Sequence, residues 1–309
     1  MSADDDRYLW DKSGPADREV ERLEKLLGRY RFDPREAPRF ERAPRRTWRT
    51  WALAAAVVAA LGAAAAWWSR DTRPSYIVEG VADVSRVRVG ESFSTGSGDH
   101  ALITIGSIGS VNVKPGSHVR VDDAGAEHHK LFLERGEVRA SIFARPGLFQ
   151  IGTPAGLSID MGCVYELAVD GEGASSMHVL TGRIAFAAAG RSVLIPAGAE
   201  CRATSALGPN VPVRTVASRE FVDAVRRLEL APEPDEADLA IVRKSNTHDE
   251  SVSIWHLFRL APAEATRRAM LEILARINPL PEGVELSSLL TADDATLDRW
   301  REIVERDWR

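Results

Sequence analysis

Cysteine is scarce: Cys163 and Cys201 are the only two in 309 residues. Two thiols are too few for a disulfide-rich scaffold or a four-cysteine zinc site. An excess of positive charge is also missing, and a net charge of −5 argues against a nucleic-acid-binding face. No glycine-rich phosphate loop and no G-x-S-x-G elbow occurs anywhere in the chain. His128-His129, in AGAEHHK, has no third ligand in view and reads as a solvated turn. Asp4-Asp5-Asp6 and Asp122-Asp123 lack the glycine and oxygen spacing of a calcium loop and read as solvated charge. The expectation is a chain that is not an enzyme, with no catalytic, cofactor-binding or metal-ligating residue to assign.

One long apolar run is present. Trp51 to Trp68 reads WALAAAVVAALGAAAAWW, 18 residues without a charge, ten of them alanine. As a helix it spans about 27 Å, which with its flanks suits a bilayer core of about 30 Å. Trp48 and Trp51 at one end and Trp67 and Trp68 at the other form the aromatic belts of a membrane anchor. Eight arginines (Arg29, Arg31, Arg35, Arg39, Arg42, Arg45, Arg46, Arg49) precede the run, against Arg70 and Arg73 just after it. Positive charge stays inside, so the expected topology is single-pass, with the N-terminus cytoplasmic and residues from about 70 to 309 outside. Fifty residues ahead of the run are too many for a signal peptide's n-region, so no cleavage is expected.

Residues 1–47 hold one amphipathic helix. In PADREVERLEKLLGRY (15–30), Val20, Leu23, Leu27 and Tyr30 recur at helical spacing, with Glu21 four residues before Lys25. A helix this short gains its stability from packing, so its apolar stripe needs a surface. That surface is either a cytoplasmic partner, which makes this a docking helix, or the anionic inner leaflet. Residues 31–47, with Pro34, Pro38 and Pro44 among charges, read as an extended linker.

From about Tyr76 to Thr204 short alternating runs recur: VSRVRVG (84–90), ALITIG (101–106), SVNVKPG (110–116), HVRV (118–121), KLFLERG (130–136), EVRASIFA (137–144), VYELAVDG (164–171), MHVLTG (177–182), RIAFAAAG (183–190) and RSVLIPAG (191–198). Alternation over four to eight residues between Gly, Pro or Asp is a strand signal. Periodicity alone leaves sandwich, barrel and β-roll open.

Within this stretch, Thr153-Pro154-Ala155-Gly156, Gly162-Cys163-Val164-Tyr165, Val179-Leu180-Thr181-Gly182-Arg183-Ile184 and Ile195-Pro196-Ala197-Gly198 follow one another in the order of the FecR periplasmic domain. SVNVKPGSHVRV resembles the strand–turn–strand that opens that domain, and the resemblance covers roughly residues 78–205. It implies a protein that crosses a bacterial inner membrane once, N-terminus cytoplasmic and C-terminal domains periplasmic, and signals from the envelope. Outside, such proteins contact an envelope or outer-membrane protein; inside, they regulate an extracytoplasmic-function sigma factor.

Both cysteines fall in the part expected to be exported. In an oxidising compartment Cys163 and Cys201 are candidates for a disulfide, closing a loop worth roughly 3–4 kcal/mol if unstrained. Two separate buried thiols are the alternative. Cys163 as a nucleophile has neither a base nor oxyanion donors in view.

Past Ser218 the pattern turns helical. SREFVDAVRRLEL (218–230) lines up Phe221, Val225 and Leu228; APEPDEAD (231–238) reads as a linker; SVSIWHLFRL (251–260), PAEATRRAMLEILARI (262–277) and TADDATLDRWREIVERDW (291–308) follow. The last opens with Thr291 and Asp294 spaced as a capping box and aligns Leu297, Trp300, Val304 and Trp308. Either these helices form a bundle packed on itself or on the β-domain, or they present a groove to a partner with Trp255 or Trp300 as anchors.

The expected architecture is therefore a mainly β exported domain of about a dozen short strands, β-roll or sandwich-like, with a C-terminal α-helical bundle and one N-terminal transmembrane helix. Its divisions are 1–47, 48–69, 76–205 and 218–309. Two functional readings follow. One is a FecR-like envelope signalling protein that regulates a sigma factor through protein contacts. The other is a membrane-tethered envelope scaffold with no cytoplasmic output. Neither calls for a cofactor or a nucleic acid.

Overall fold

The computed structural model describes residues 18–30, 55, 56, 58–60, 62, 74–82, 84–244 and 248–308. The chain divides into two units, Met1–Trp68 and Ser69–Arg309. In the first, helix α1 spans Arg18–Leu27 and runs into a 3₁₀ turn over Gly28–Tyr30, which places the predicted helix where its periodicity put it. Ala55, Ala56, Val58–Ala60 and Gly62 are helical. Most of the apolar run, with Trp48, Trp51, Trp67 and Trp68, lies outside the described residues, among which no helix is long and apolar enough to cross a membrane.

The second unit opens with sixteen strands: β1 Ser75–Val81, β2 Val84–Arg88, β3 Ser92–Ser94, β4 Ala101–Ile105, β5 Gly109–Val113, β6 His118–Ala124, β7 His129–Ile142, β8 Phe149–Thr153, β9 Gly156–Asp160, β10 Val164–Val169, β11 Ser175–Thr181, β12 Arg183–Ala188, β13 Arg191–Pro196, β14 Ala199–Thr204, β15 Gly208–Pro209 and β16 Val213–Arg214. They form two layers that share β7. In one layer the order is β2-β1-β4-β5-β7-β10-β11-β14, with β15 and β16 on the far side of β14. In the other it is β3-β6-β7-β8-β9-β12-β13. Neighbours are antiparallel except β7 and β8, which run parallel from His129↔Phe149 to Phe132↔Gly152.

The alternation that predicted strands now has a physical reason: every second side chain points between the layers. Ile103, Ile105, Val111, Val113, Leu131, Leu133, Tyr165, Leu167, Phe186 and Ile195 are all buried there. The sequence divided β7 into two runs at Gly136, and the structure joins them into one strand. Leu131 and Leu133 face inward before Gly136, Val138 and Ala140 after it, so the inward phase slips by one residue as the strand passes from one layer to the other. Gly136 has φ 93°, and a Cβ there would stand 2.4 Å from Ser117 Cα. Only glycine tolerates both the left-handed backbone and the close approach.

The helices follow: α2 Arg219–Leu230, α3 Glu236–Lys244, α4 Ser251–Leu260, α5 Glu264–Ile277 and α6 Asp294–Val304. The stretch read as a linker in part starts α3, whose Leu239 and Val242 are buried. Ser218 caps α2 by accepting a hydrogen bond from Phe221 N at 3.2 Å. The cap of α6 is Asp293 rather than Thr291: its carboxylate accepts from Thr296 N at 2.8 Å, satisfying one of the free amides of the first turn. These helices build a second core around Phe221, Leu228, Ile254, Leu257, Leu274 and Val304, which also takes in Val211 and Val213 from the end of the β region. The β part therefore runs from Ser75 to Arg214, past the expected limit at 205, and the helices close directly on it.

Candidate interaction surfaces

No residue of α1 is buried. Leu23, Leu26, Leu27 and Tyr30 are 53%, 50%, 62% and 73% exposed. With Val20, three of these are the predicted docking stripe; Leu26 widens it, a position the i, i+3, i+4 count passed over. Glu19, Arg22, Glu24 and Lys25 make the rest of the helix polar. The helix thus presents an apolar stripe that none of the described residues buries.

In the second unit a cleft of about 760 Å³ opens beside the start of β12, lined by Met161, Leu180, Arg183, Pro196, Glu302 and Trp308. It continues into a recess of about 660 Å³ between β13 and helices α4 and α6. Glu305 bridges the walls, accepting from Arg183 Nη1 at 3.0 Å and pairing with Arg301 Nε at 3.0 Å. Burial raises the Glu305 carboxyl above its ordinary range despite these two cations.

His256 locks the helices to the sheet. Its Nε2 accepts from Leu194 N of the outer strand β13 at 3.0 Å. Its Nδ1 therefore carries the proton and donates to Val252 O at 2.7 Å. Burial, helped by Arg301 and Arg259, lowers its pKa to about 4. An edge strand offers unpaired amides to any passing chain, and this imidazole occupies one of them. A lone histidine in the apolar run SVSIWHLFRL was the available signal for such a buried, hydrogen-bonded ring. Ser253 Oγ reinforces the joint, donating to Pro212 O at 2.7 Å.

The tryptophans proposed as C-terminal partner anchors are core residues instead. Trp255 and Trp300 are 4% and 0% exposed. They meet edge to face at 5.6 Å, with Phe258 against both, and Trp300 Nε1 donates to Pro279 O at 3.2 Å. Aromatic rings gain most where both faces are packed and the N–H has a partner, and this bundle supplies both. The chain's last aromatic, Trp308, is buried as well and donates from Nε1 to Ser251 Oγ at 2.9 Å.

The disulfide is likewise corrected: Cys163 and Cys201 are both free and buried. Cys163 adjoins the pair Val164↔Thr181, whereas Cys201 lies opposite Met177. Four residues of β11 separate those positions, about 13 Å along the strand, far beyond the roughly 7 Å Cα separation a disulfide tolerates. Each sulfur has its own partner. Cys163 Sγ donates to Asp160 Oδ2 at 2.8 Å and Cys201 Sγ to Asn210 O at 3.2 Å. Burial holds the Cys163 thiol well above its ordinary pKa, with Asp160 adding to the shift, and pushes Cys201 up to about 12. Neither is a thiolate nucleophile at neutral pH. Burial also raises Asp160, which accepts from Gly162 N at 2.6 Å.

Of the paired histidines, His129 sits at the start of β7 against Tyr76, with Nδ1 2.7 Å from the phenol oxygen, so it is a packing element rather than a solvated turn. Among the described residues no group of three His, Cys, Asp or Glu side chains is placed to hold a metal ion.

No family model matches this chain, and no curated protein matches it. Two crystal structures of a candidate anti-sigma factor from Parabacteroides distasonis ATCC 8503 are similar to parts of it. One, at 2.50 Å resolution, is 15% identical with a TM-score of 0.35, covering 44% of this chain and 64% of its own. The other, at 1.65 Å, is 15% identical with a TM-score of 0.35, covering 50% of this chain and 91% of its own. This chain thus spans less than two thirds of the first of these proteins.

Proposed function

We propose that the chain is a FecR-like envelope signalling protein: single-pass in a bacterial inner membrane, N-terminus cytoplasmic, with residues from about 70 to 309 periplasmic. The β/α unit receives a protein partner outside, and α1 engages an extracytoplasmic-function sigma factor inside. The observation that carries this reading is the uncovered stripe of α1, where Leu23, Leu26, Leu27 and Tyr30 are all at least half exposed. An isolated ten-residue helix is marginal in water; a partner groove that buries the stripe supplies the missing packing in the helix-in-groove manner. The orientation rests on the arginine bias around the apolar run.

The test uses the tagged full-length chain, solubilised from its bacterial host, beside a Leu23→Asp/Leu27→Asp variant. A sigma factor co-purifying with the first and lost from the second supports the reading. Equal recovery by both, or no sigma factor with either, overturns it. A reporter active only outside the cytoplasm, fused after Arg309, tests topology separately; silence there refutes the periplasmic placement.

A further inference from the structure

A third cavity, used by nothing described above, lies where the C-terminal end of α2 meets β13 and β14. It measures about 170 Å³, and its lining includes Arg191, Arg202, Leu207, Arg226, Glu229 and Leu230. Two features distinguish it. Leu207 and Leu230 are 53% and 56% exposed, so a pair of aliphatic side chains stands uncovered beside the cavity. Three guanidiniums also converge on it against a single carboxylate. That carboxylate is already committed: Glu229 is 3% exposed, pairs with Arg191 and with Arg226 at 3.4 Å, and accepts from Val211 N at 3.0 Å. Arg191 Nε is buried there without a hydrogen-bond partner. Arg202 is mostly exposed, and among the described residues its ion pair is a loose one, with Asp170 at 3.9 Å.

We infer that this cavity is a docking site for a peptide segment of a partner protein in which one large apolar side chain is flanked by carboxylates. The apolar side chain enters between Leu207 and Leu230; the carboxylates meet Arg202 first, with Arg191 and Arg226, which already hold Glu229 and, from Arg226 Nη1, Val211 O at 2.6 Å, adding positive potential beside it. Charge complementarity selects this occupant over a neutral apolar one, because an uncharged segment would cover the guanidiniums without replacing their water. An apolar anchor beside arginines is the composition of interface hot spots, and carboxylate–guanidinium contacts are among the stronger hydrogen bonds. The inference stands on this cavity alone and does not depend on a sigma factor binding α1.

The experiment titrates the purified full-length chain into fluorescein-labelled peptides, each with one Leu, Met, Phe or Trp flanked on both sides by Asp and Glu. Matched peptides carry Asn and Gln in place of the acids. Expected is micromolar binding of at least one acidic peptide, about tenfold tighter than its amide counterpart and weaker as salt rises. Arg202→Glu and Leu230→Asp, both at exposed positions, each weaken it about tenfold while leaving the unfolding midpoint unchanged. The proposal is overturned if no acidic peptide binds, if the amide peptides bind equally well, or if both variants bind as the parent does. Concentration-dependent self-association abolished by Leu230→Asp, without peptide binding, also overturns it and assigns the surface to a second copy of the chain.

Discussion

Acid should loosen the joint between the helices and the sheet, and His256 sets by how much. Its folded pKa of about 4 lies below the ordinary 6.5, so the unfolded chain binds a proton over a pH range where the folded chain does not. Stability is therefore fully present above about pH 6.5 and declines as the pH falls toward 4. The whole shift corresponds to about 3 kcal/mol, of which about 2 kcal/mol is lost between pH 7 and pH 5. The structural cause is specific. A proton on Nε2 would face Leu194 N–H, turning an acceptor into a second donor and removing the partner of a β13 amide. The assay is denaturant unfolding followed by tryptophan emission, to which the buried Trp255, Trp300 and Trp308 contribute, the last with its ring 5.7 Å from that of His256. It is run from pH 7 to pH 4.5 on the parent and on His256→Gln. Glu305 and Asp160 have raised pKa values and act in the opposite sense, so the quantity to compare is the parent-minus-variant difference. That difference should shrink by about 2 kcal/mol from pH 7 to pH 5. A difference that stays constant with pH would refute the assignment of Nε2 as the acceptor.

Three further outcomes follow from the packing. Trp300→Ala should destabilise the protein by about 3–5 kcal/mol, because it empties a site enclosed by Trp255, Phe258 and the Pro279 carbonyl; a shift in the denaturation midpoint measures it. Gly136→Ala should cost more than about 1 kcal/mol, since the new methyl group meets Ser117 in a left-handed backbone, whereas Gly116→Ala, with open space around it, should cost less. Both thiols should resist alkylation in the native protein, titrate as two after denaturation, and leave gel mobility unchanged by reductant. A mobility shift on reduction would refute the strand register around Cys163 and Cys201.

Much of the β region was legible because alternation is a direct imprint of one buried face. VYELAVDG and RIAFAAAG contain β10 and β12, and the buried residues within them fall on the apolar positions. What escaped was whatever depends on residues distant in sequence. The continuity of β7 through Gly136 was hidden because a glycine that ends one strand looks the same as one that bends another. Helix α3 was masked by the prolines and acids of APEPDEAD, although Leu239 and Val242 sit at helical spacing. Trp255 and Trp300 fit an anchor and a core equally well on periodicity, and only the packing of α4 against α6 separates the two. The cysteine pairing failed for a related reason: compartment chemistry says whether thiols can oxidise, while register decides whether they can meet. Of the candidate surfaces, the stripe of α1 could be read in advance, since it is local. The cavity of Arg191, Arg202 and Arg226 could not, since its walls come from three separate stretches of chain.

The sharing of β7 carries one more consequence. In both layers every strand that precedes β7 lies on one side of it and every strand that follows lies on the other. Among the described residues, strand pairing between these two halves runs only through this one segment. The arrangement resembles a book whose pages are sewn to a single spine. A cut in the loop between Ile142 and Phe149 would leave the spine attached to the first half, offering two ready edges to the second. Fragments made there should recognise each other and reassemble, and a break in the spine itself should part the two halves together.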